Sequence, residues 1–359
     1  MTNQAKWLLL LTMTAALICG FMHHLVPPDS YNFERLHIFL FNLCSGGTLL
    51  LYHTEKQKNF SLQVCCFYAL ALCFALAAFW HKYLIAMLIP PVLAVLAERT
   101  RAVRFGSIIP KGLFSRREPI TRKFHQAALL CLSLSLLISS PVILNSEFLH
   151  LMKLDKLKLD TFFLGFSFPV SLISMSVIFA LMKNGGLWPI PSLKELSFWV
   201  INLGVIIFFL FILAELFLPQ VIIALILFAA VALILYLYCK HGIRLQQKAF
   251  LTSGICFLLI TSITGILYIL LSATDYYLPQ YSHPLLRLHA FTALYGWNLS
   301  GLAVISRHDD FPIQLHSWQV ICLHWLTVLV LCPLGYFIPL FAILAVAAYI
   351  WLLWLFFFG

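Results

Sequence analysis

The sequence predicts an all-α polytopic membrane protein, a bundle of about twelve transmembrane helices with both termini in the cytoplasm. Composition is the first reason. Of 359 residues, 62% are hydrophobic and 10% charged, and the mean hydropathy is +0.96, too apolar for a soluble domain of this length. The second reason is the recurrence of apolar runs of bilayer length from end to end, without the alternating ten-residue pattern of a barrel. The third is charge placement. With the N-terminus inside, six of the 23 Lys and Arg (Arg35, Lys82, Lys153, Lys156, Lys158 and Arg287) fall in outer segments and the rest in inner ones, as the positive-inside rule requires.

The spans fall near 7–22, 36–53, 62–80, 83–98, 125–145, 161–182, 197–217, 220–238, 249–272, 288–306, 316–337 and 338–358. The first follows Lys6 and resembles a signal peptide. No small-x-small cleavage site follows, and Ile18 rather than a small residue precedes Cys19, so it is expected to remain as a helix. The second and tenth each open with Arg-Leu-His. Short turns at 80–82, 218–220 and 336–339 carry Pro, or a charge beside aromatics, and suit tight helical hairpins.

The basic segment 98–124 is expected on the cytoplasmic side, drawn to anionic headgroups or docking a partner subunit. Segment 145–160 alternates apolar and charged residues at helical spacing, which suits a short amphipathic helix in the interface. The sixth span holds Pro169 and several serines, the makings of a kink beside a cavity. No tandem repeat, low-complexity tract or soluble domain stands out, so 1–359 reads as a single transmembrane domain.

Composition also excludes. The net charge of +10 sits in loops between spans, where it sets orientation, so no nucleic-acid partner is expected; membrane lipid is. Ten cysteines form no Cys-x-x-Cys pair or zinc spacing and read as small apolar residues. There is no Ser-His-Asp set, phosphate loop or paired acidic motif, hence no complete active site. Glu215 and Asp160 lie only at span ends, which argues against a deep proton path.

The chemistry centres on two histidines. His37 and His289 each sit about one residue inside a span that begins on the outer face, so their depths match to within a turn or so. One imidazole from each of two helices at one depth is what a bis-histidine haem b requires. Arg35 and Arg287, just toward water, are placed to pair with its propionates. Gly46, Gly47, Gly296 and Gly301 remove bulk, admitting a macrocycle or a neighbouring helix. The competing reading is that boundary histidines face headgroups, arginines snorkel and glycines pack helices. A second histidine set, His53, His125, His316 and His324, lies toward the inner side. His324 is the candidate there for a second haem or metal site, against the reading of a satisfied core histidine. The cluster His308-Asp309-Asp310 reads as a solvated turn, with a metal site as the competing reading. Asn42, Tyr295 and Asn298 supply neutral polar contacts.

RLHIFLFNLCSGGTLLLYH resembles the second helix of the haem–copper oxidase catalytic subunit, in the branches of cytochrome cbb3 and nitric-oxide reductase. The matching residues are Arg35, His37, Gly46, Gly47 and Tyr52. HAFTALYGWNLSG is similar to the tenth helix of the same fold, through His289, Gly296 and Trp297. A histidine-led tenth span also resembles the NnrS family of haem- and copper-associated membrane proteins. The resemblance covers about 40 residues plus the topology, and it implies a twelve-helix fold with cytoplasmic termini. In strict register it makes His37 a ligand of the low-spin haem and His289 a ligand of the high-spin haem. Two departures matter. Phe291 stands where the family has its second histidine, and spans six and seven, the source of the copper ligands, hold no histidine. No copper is therefore expected, and oxygen or nitric-oxide reduction is not supported. The resulting expectation is a haem-b membrane protein of oxidase-like fold without the copper centre. It would act in electron transfer, haem or gas sensing, or assembly, beside respiratory or assembly subunits in the bacterial inner membrane. The alternatives are a small-molecule transporter and a non-catalytic structural subunit.

Overall fold

A computed structural model describes the chain except residues 28–30, 152–154, 184–188, 246, 275–278 and 309–313; of 155–164 and 279–283 it describes the backbone alone. Among the described residues the fold is helical, with no strand beyond one isolated bridge, Met182 to Gly242. In chain order the helices are α1 (Asn3–Gly20), α2 (Phe33–Glu55), α3 (Leu62–Phe79), α4 (Tyr83–Phe105), α5 (Ile120–Leu149) and α6 (Asp155–Ala180). They continue as α7 (Ile190–Leu213), α8 (Phe217–His241), α9 (Gln247–Ser272), α10 (279–306), α11 (Trp318–Phe337) and α12 (Pro339–Phe358). Nine of these, all but α1, α6 and α10, are long and apolar enough among the described residues to cross a membrane. This is the architecture of a multi-pass integral membrane protein, in which every backbone polar group must be satisfied within its own helix.

Local chemistry sets the helix ends. Thr2 Oγ1, Asn32 Oδ1 and Ser61 Oγ accept the N–H groups of Ala5, Arg35 and Val64, capping α1, α2 and α3. The hairpin turns need left-handed backbone, at His81 (φ 56°) between α3 and α4 and at Glu215 (φ 57°) between α7 and α8. α4 carries Pro90 and Pro91, and a proline has no N–H for the carbonyl four residues back. For Pro91 that carbonyl belongs to Met87, and Ser140 Oγ of α5 donates to it at 2.6 Å. The prolines thus create the acceptor that holds α5 against α4.

The chain forms two compact units. One comprises α1–α5, α6 to Ile173, residues 302–313 and the end of α12 from Val346; the other comprises the rest of α6, α7–α9, α10 to Gly301, α11 and the start of α12. In the first unit α2 is the enclosed helix: 89% of its apolar window is buried, against 33–50% for α3, α4 and α5. The exposed apolar side chains of α4 and α5, among them Leu88, Val92, Leu134 and Leu137, face outward as lipid-contacting residues do. In the second unit α7 and α8 carry such residues, including Leu203, Ile206, Leu225 and Ile226. α10 is buried almost without interruption from Phe291. The two helices that open with Arg-Leu-His are therefore core helices.

Three expectations change. The predicted interfacial helix at 145–160 is not a separate element, because 145–149 continues α5 and 155–160 begins α6, with 152–154 outside the described residues. The basic segment 98–124 is helical to Phe105 and again from Ile120, leaving a loop closed by Gly106 (φ 73°) and a short turn at Lys111–Phe114. α10 begins at Pro279, a residue suited to a helix's first turn, rather than near 288. His289 is therefore its eleventh residue, whereas His37 is the fifth of α2. Helical position alone does not give the two histidines one depth.

Candidate functional site

His37 is buried on α2, and its Nδ1 lies 2.8 Å from the carbonyl oxygen of Ala16 on α1. A carbonyl only accepts, so Nδ1 carries the proton and Nε2 carries the ring lone pair. Gly20, one turn beyond Ala16, makes room for the ring: a Cβ there would meet His37 Nδ1 at 2.8 Å. In the second unit His289 repeats this arrangement. Its Nδ1 lies 2.9 Å from the carbonyl of Thr261 on α9, and a Cβ at Gly265 would meet its Cε1 at 3.1 Å. In both places a histidine donates Nδ1–H to a carbonyl of the preceding helix, over a glycine four residues further along it. Ala16-Leu17-Ile18-Cys19-Gly20 answers to Thr261-Ser262-Ile263-Thr264-Gly265, as Arg35-Leu36-His37 answers to Arg287-Leu288-His289.

Stretches of widened, π-helical backbone begin two residues after His37, at Phe39–Gly47 in α2, and three after His289, at Thr292–Asn298 in α10. Such stretches are rare and frequent at functional sites; Asn145–Leu149 and Thr327–Leu331, the latter three residues after His324, are widened too. In α2, Ser45 Oγ donates five residues back, to Leu40 O at 2.9 Å. Around His289, Thr261 Oγ1 donates to Thr292 Oγ1 at 2.9 Å, tying α9 to the start of the widened stretch.

Other predicted residues take more structural parts. The room beside Gly46 and Gly47 is filled by Val170 and Phe67, and that beside Gly296 and Gly301 by Phe257 and Ser174. These glycines admit neighbouring side chains rather than a macrocycle. Arg35 is half-buried and acts electrostatically on Tyr83 and Glu147. The Arg287 guanidinium lies 4.8 Å from the centre of the Tyr336 ring, a cation–π contact. His324 has the opposite tautomer to His37: its Nε2 donates to Tyr295 O at 2.5 Å, and its ring packs on Phe250 and Phe257. That bond ties α11 to the widened stretch of α10. His316 is exposed.

The inner set gathers differently from expectation. His53 stacks on His125 with ring centres 5.4 Å apart, and His308 meets His53 edge-on at 5.2 Å. Thr54 Oγ1 donates to Leu50 O at 2.7 Å and so accepts from His125 Nε2 at 2.7 Å. Asp309 and Asp310 lie outside the described residues. Among those described, no three or more His, Cys, Asp or Glu side chains are placed to hold a metal ion.

For haem, the donor chemistry of His37 and His289 fits. An iron-ligating imidazole donates its other N–H to a carbonyl, which fixes the tautomer, orients the ring and raises its basicity. His37, His289, Arg35 and Arg287 were the candidates the sequence offered. Sequence reasoning missed the carbonyl and glycine partners, whose signal was a pair of small residues four apart in the helix preceding each histidine. Compared with known protein families, curated proteins and solved structures, the chain matches none.

Proposed function

We propose that this chain is a haem-b-binding membrane protein of about twelve crossings, with cytoplasmic termini, in which His37 and His289 each supply an axial imidazole. One observation carries the reading: the two histidines share a tautomer, an acceptor and a glycine seat, each on the preceding helix. Two core histidines with purely structural duties have no reason to repeat all three. The widened backbone after each histidine adds support, since such stretches are frequent at functional sites.

Haem b, when bound, supplies a one-electron redox centre or an iron that takes a small gas. The protein's residues do the rest. The Ala16 and Thr261 carbonyls hold each ring with Nε2 as its ligating nitrogen. The apolar helices keep water out. Arg35 and Arg287 are the proposed partners of the propionates, each in competition with a present neighbour, Glu147 for Arg35 and Tyr336 for Arg287. The wider proposal is an oxidase-like fold without its copper centre, in electron transfer, haem or gas sensing, or assembly in a bacterial inner membrane. Visible spectra of purified wild type, His37→Ala and His289→Ala test the site. Loss of haem, or a change of its coordination, in either variant assigns that imidazole as a ligand, and wild-type haem content and bands in both remove the site.

A further inference from the structure

On the outward face of α4, near its C-terminal end, two rows of residues four apart form one side of an open groove. Ala94 and Ala102 lie in one row, Val95, Arg99 and Val103 in the other, and Leu137 of α5 and Ile108 of the following loop complete the groove. All belong to the first compact unit. The alanines leave the floor shallow. Val95, Val103, Ile108 and Leu137 are 64%, 81%, 77% and 46% exposed, so the walls are apolar and uncovered. From Ala94 to Arg99 the groove runs about 8 Å along the helix, room for the upper part of an acyl chain below a headgroup at Arg99.

Charge enters the groove at Arg99, midway along it, and continues toward the loop. Glu98 borders the groove, but its carboxylate is already bound by Arg101 at 2.6 Å and by Ser133 Oγ at 2.5 Å. Arg99 is exposed and makes no ion pair or side-chain hydrogen bond among the described residues. The last turn of α4 adds exposed Arg104, and the loop beyond adds Lys111, Arg116 and Arg117, interleaved with exposed Ile108, Ile109 and Phe114. Its other acid, Glu118, is paired with Arg122 at 2.7 Å. Net positive charge thus stands at the mouth of an apolar slot that continues down a membrane-facing helix surface.

We infer that this groove binds an anionic phospholipid, one acyl chain lying along α4 between Val95 and Leu137 and the headgroup phosphate meeting Arg99. A protein partner would need neither a slot running toward mid-helix nor a cation at its mouth, whereas a phospholipid needs both. The site is independent of haem.

The test is native mass spectrometry of the full-length protein, delipidated in detergent and re-exposed to phosphatidylglycerol or phosphatidylcholine of identical chains. Wild type should retain phosphatidylglycerol roughly fivefold more, the preference expected of one surface cation. Arg99→Gln should abolish that preference while still retaining lipid. Leu137→Trp, which blocks the slot from α5, should reduce retention of both lipids, with folding checked by an unchanged gel-filtration profile. Should Leu137→Trp misfold, Val95→Trp blocks the same slot from α4. Equal retention of both lipids by wild type would overturn the inference. So would undiminished retention in the filled-groove variant, equal competition by glycerol phosphate, or a co-purifying protein that shields Arg99 while no lipid is held.

Discussion

Gly20 and Gly265 play one part at two clearances, which gives a graded prediction. A Cβ added at Gly20 would lie 2.8 Å from His37 Nδ1, well inside contact distance, and the ring must retreat by about 0.6 Å or more. The His37–Ala16 bond of 2.8 Å would then stretch past the usual hydrogen-bond range and leave the buried His37 Nδ1–H without its acceptor. That costs about 1–3 kcal/mol. Gly20 ends α1, so alanine returns little helix propensity there. At Gly265 the nearest ring atoms would be 3.1 and 3.3 Å away, a shift of only about 0.3 Å that the 2.9 Å bond to Thr261 survives. Gly265 is mid-helix, and alanine's propensity offsets about 1 kcal/mol. Thermal unfolding in detergent, with the reduced spectrum as a second readout, should therefore rank Gly20→Ala clearly below wild type and Gly265→Ala close to it. The two variants behaving alike, or Gly265→Ala being the weaker, would refute the contact argument.

Other consequences can be checked in the same preparation. Thr54→Val removes the acceptor of a buried His125 N–H and should cost about 1–3 kcal/mol, with Thr54→Ser restoring most of it; unchanged melting in the valine variant would contradict the assigned tautomer. Within the Glu98–Arg101 pair the Arg101 side chain is 1% exposed and that of Glu98 30%, so Glu98→Gln strands the more buried charge. It should lower stability by about 3 kcal/mol and Arg101→Met by less, because Glu98 can still hydrate; the reverse order would be wrong for this geometry. A reporter inserted at Gly112 should be active in the cytoplasm, and activity only in the periplasm would overturn the proposed orientation.

Much of the fold was legible in the sequence, because bilayer-length apolar runs leave helices as the only way to satisfy the backbone. Each predicted span holds a helix, with ends that differ by a few residues, and nine of these helices are long and apolar enough among the described residues to cross a membrane. Its ends were harder. The start of α10 at Pro279 lies in a polar stretch, Pro-Gln-Tyr-Ser-His-Pro, that hydropathy assigns to a loop but whose leading proline suits the first turn of a helix. The two histidines were visible through their shared Arg-Leu-His. Their acceptors were not, since His37 lies 17 residues beyond Gly20 and His289 24 beyond Gly265, so no fixed spacing links them. Widened backbone has no sequence code comparable to a cap. The gathering of His53, His125 and His308 joins α2, α5 and the turn after α10, distant in the chain, which only tertiary packing reveals.

The central claim is that His37 and His289 each present Nε2 to haem iron. The most direct measurement is the reduced-minus-oxidised visible spectrum, with haem extracted and quantified, of purified wild type, His37→Ala and His289→Ala. The account predicts the sharp bands of a b-type cytochrome in wild type. Each variant should lose haem or pass from six- to five-coordinate iron. Wild type without haem, or both variants with wild-type haem content and bands, would contradict it.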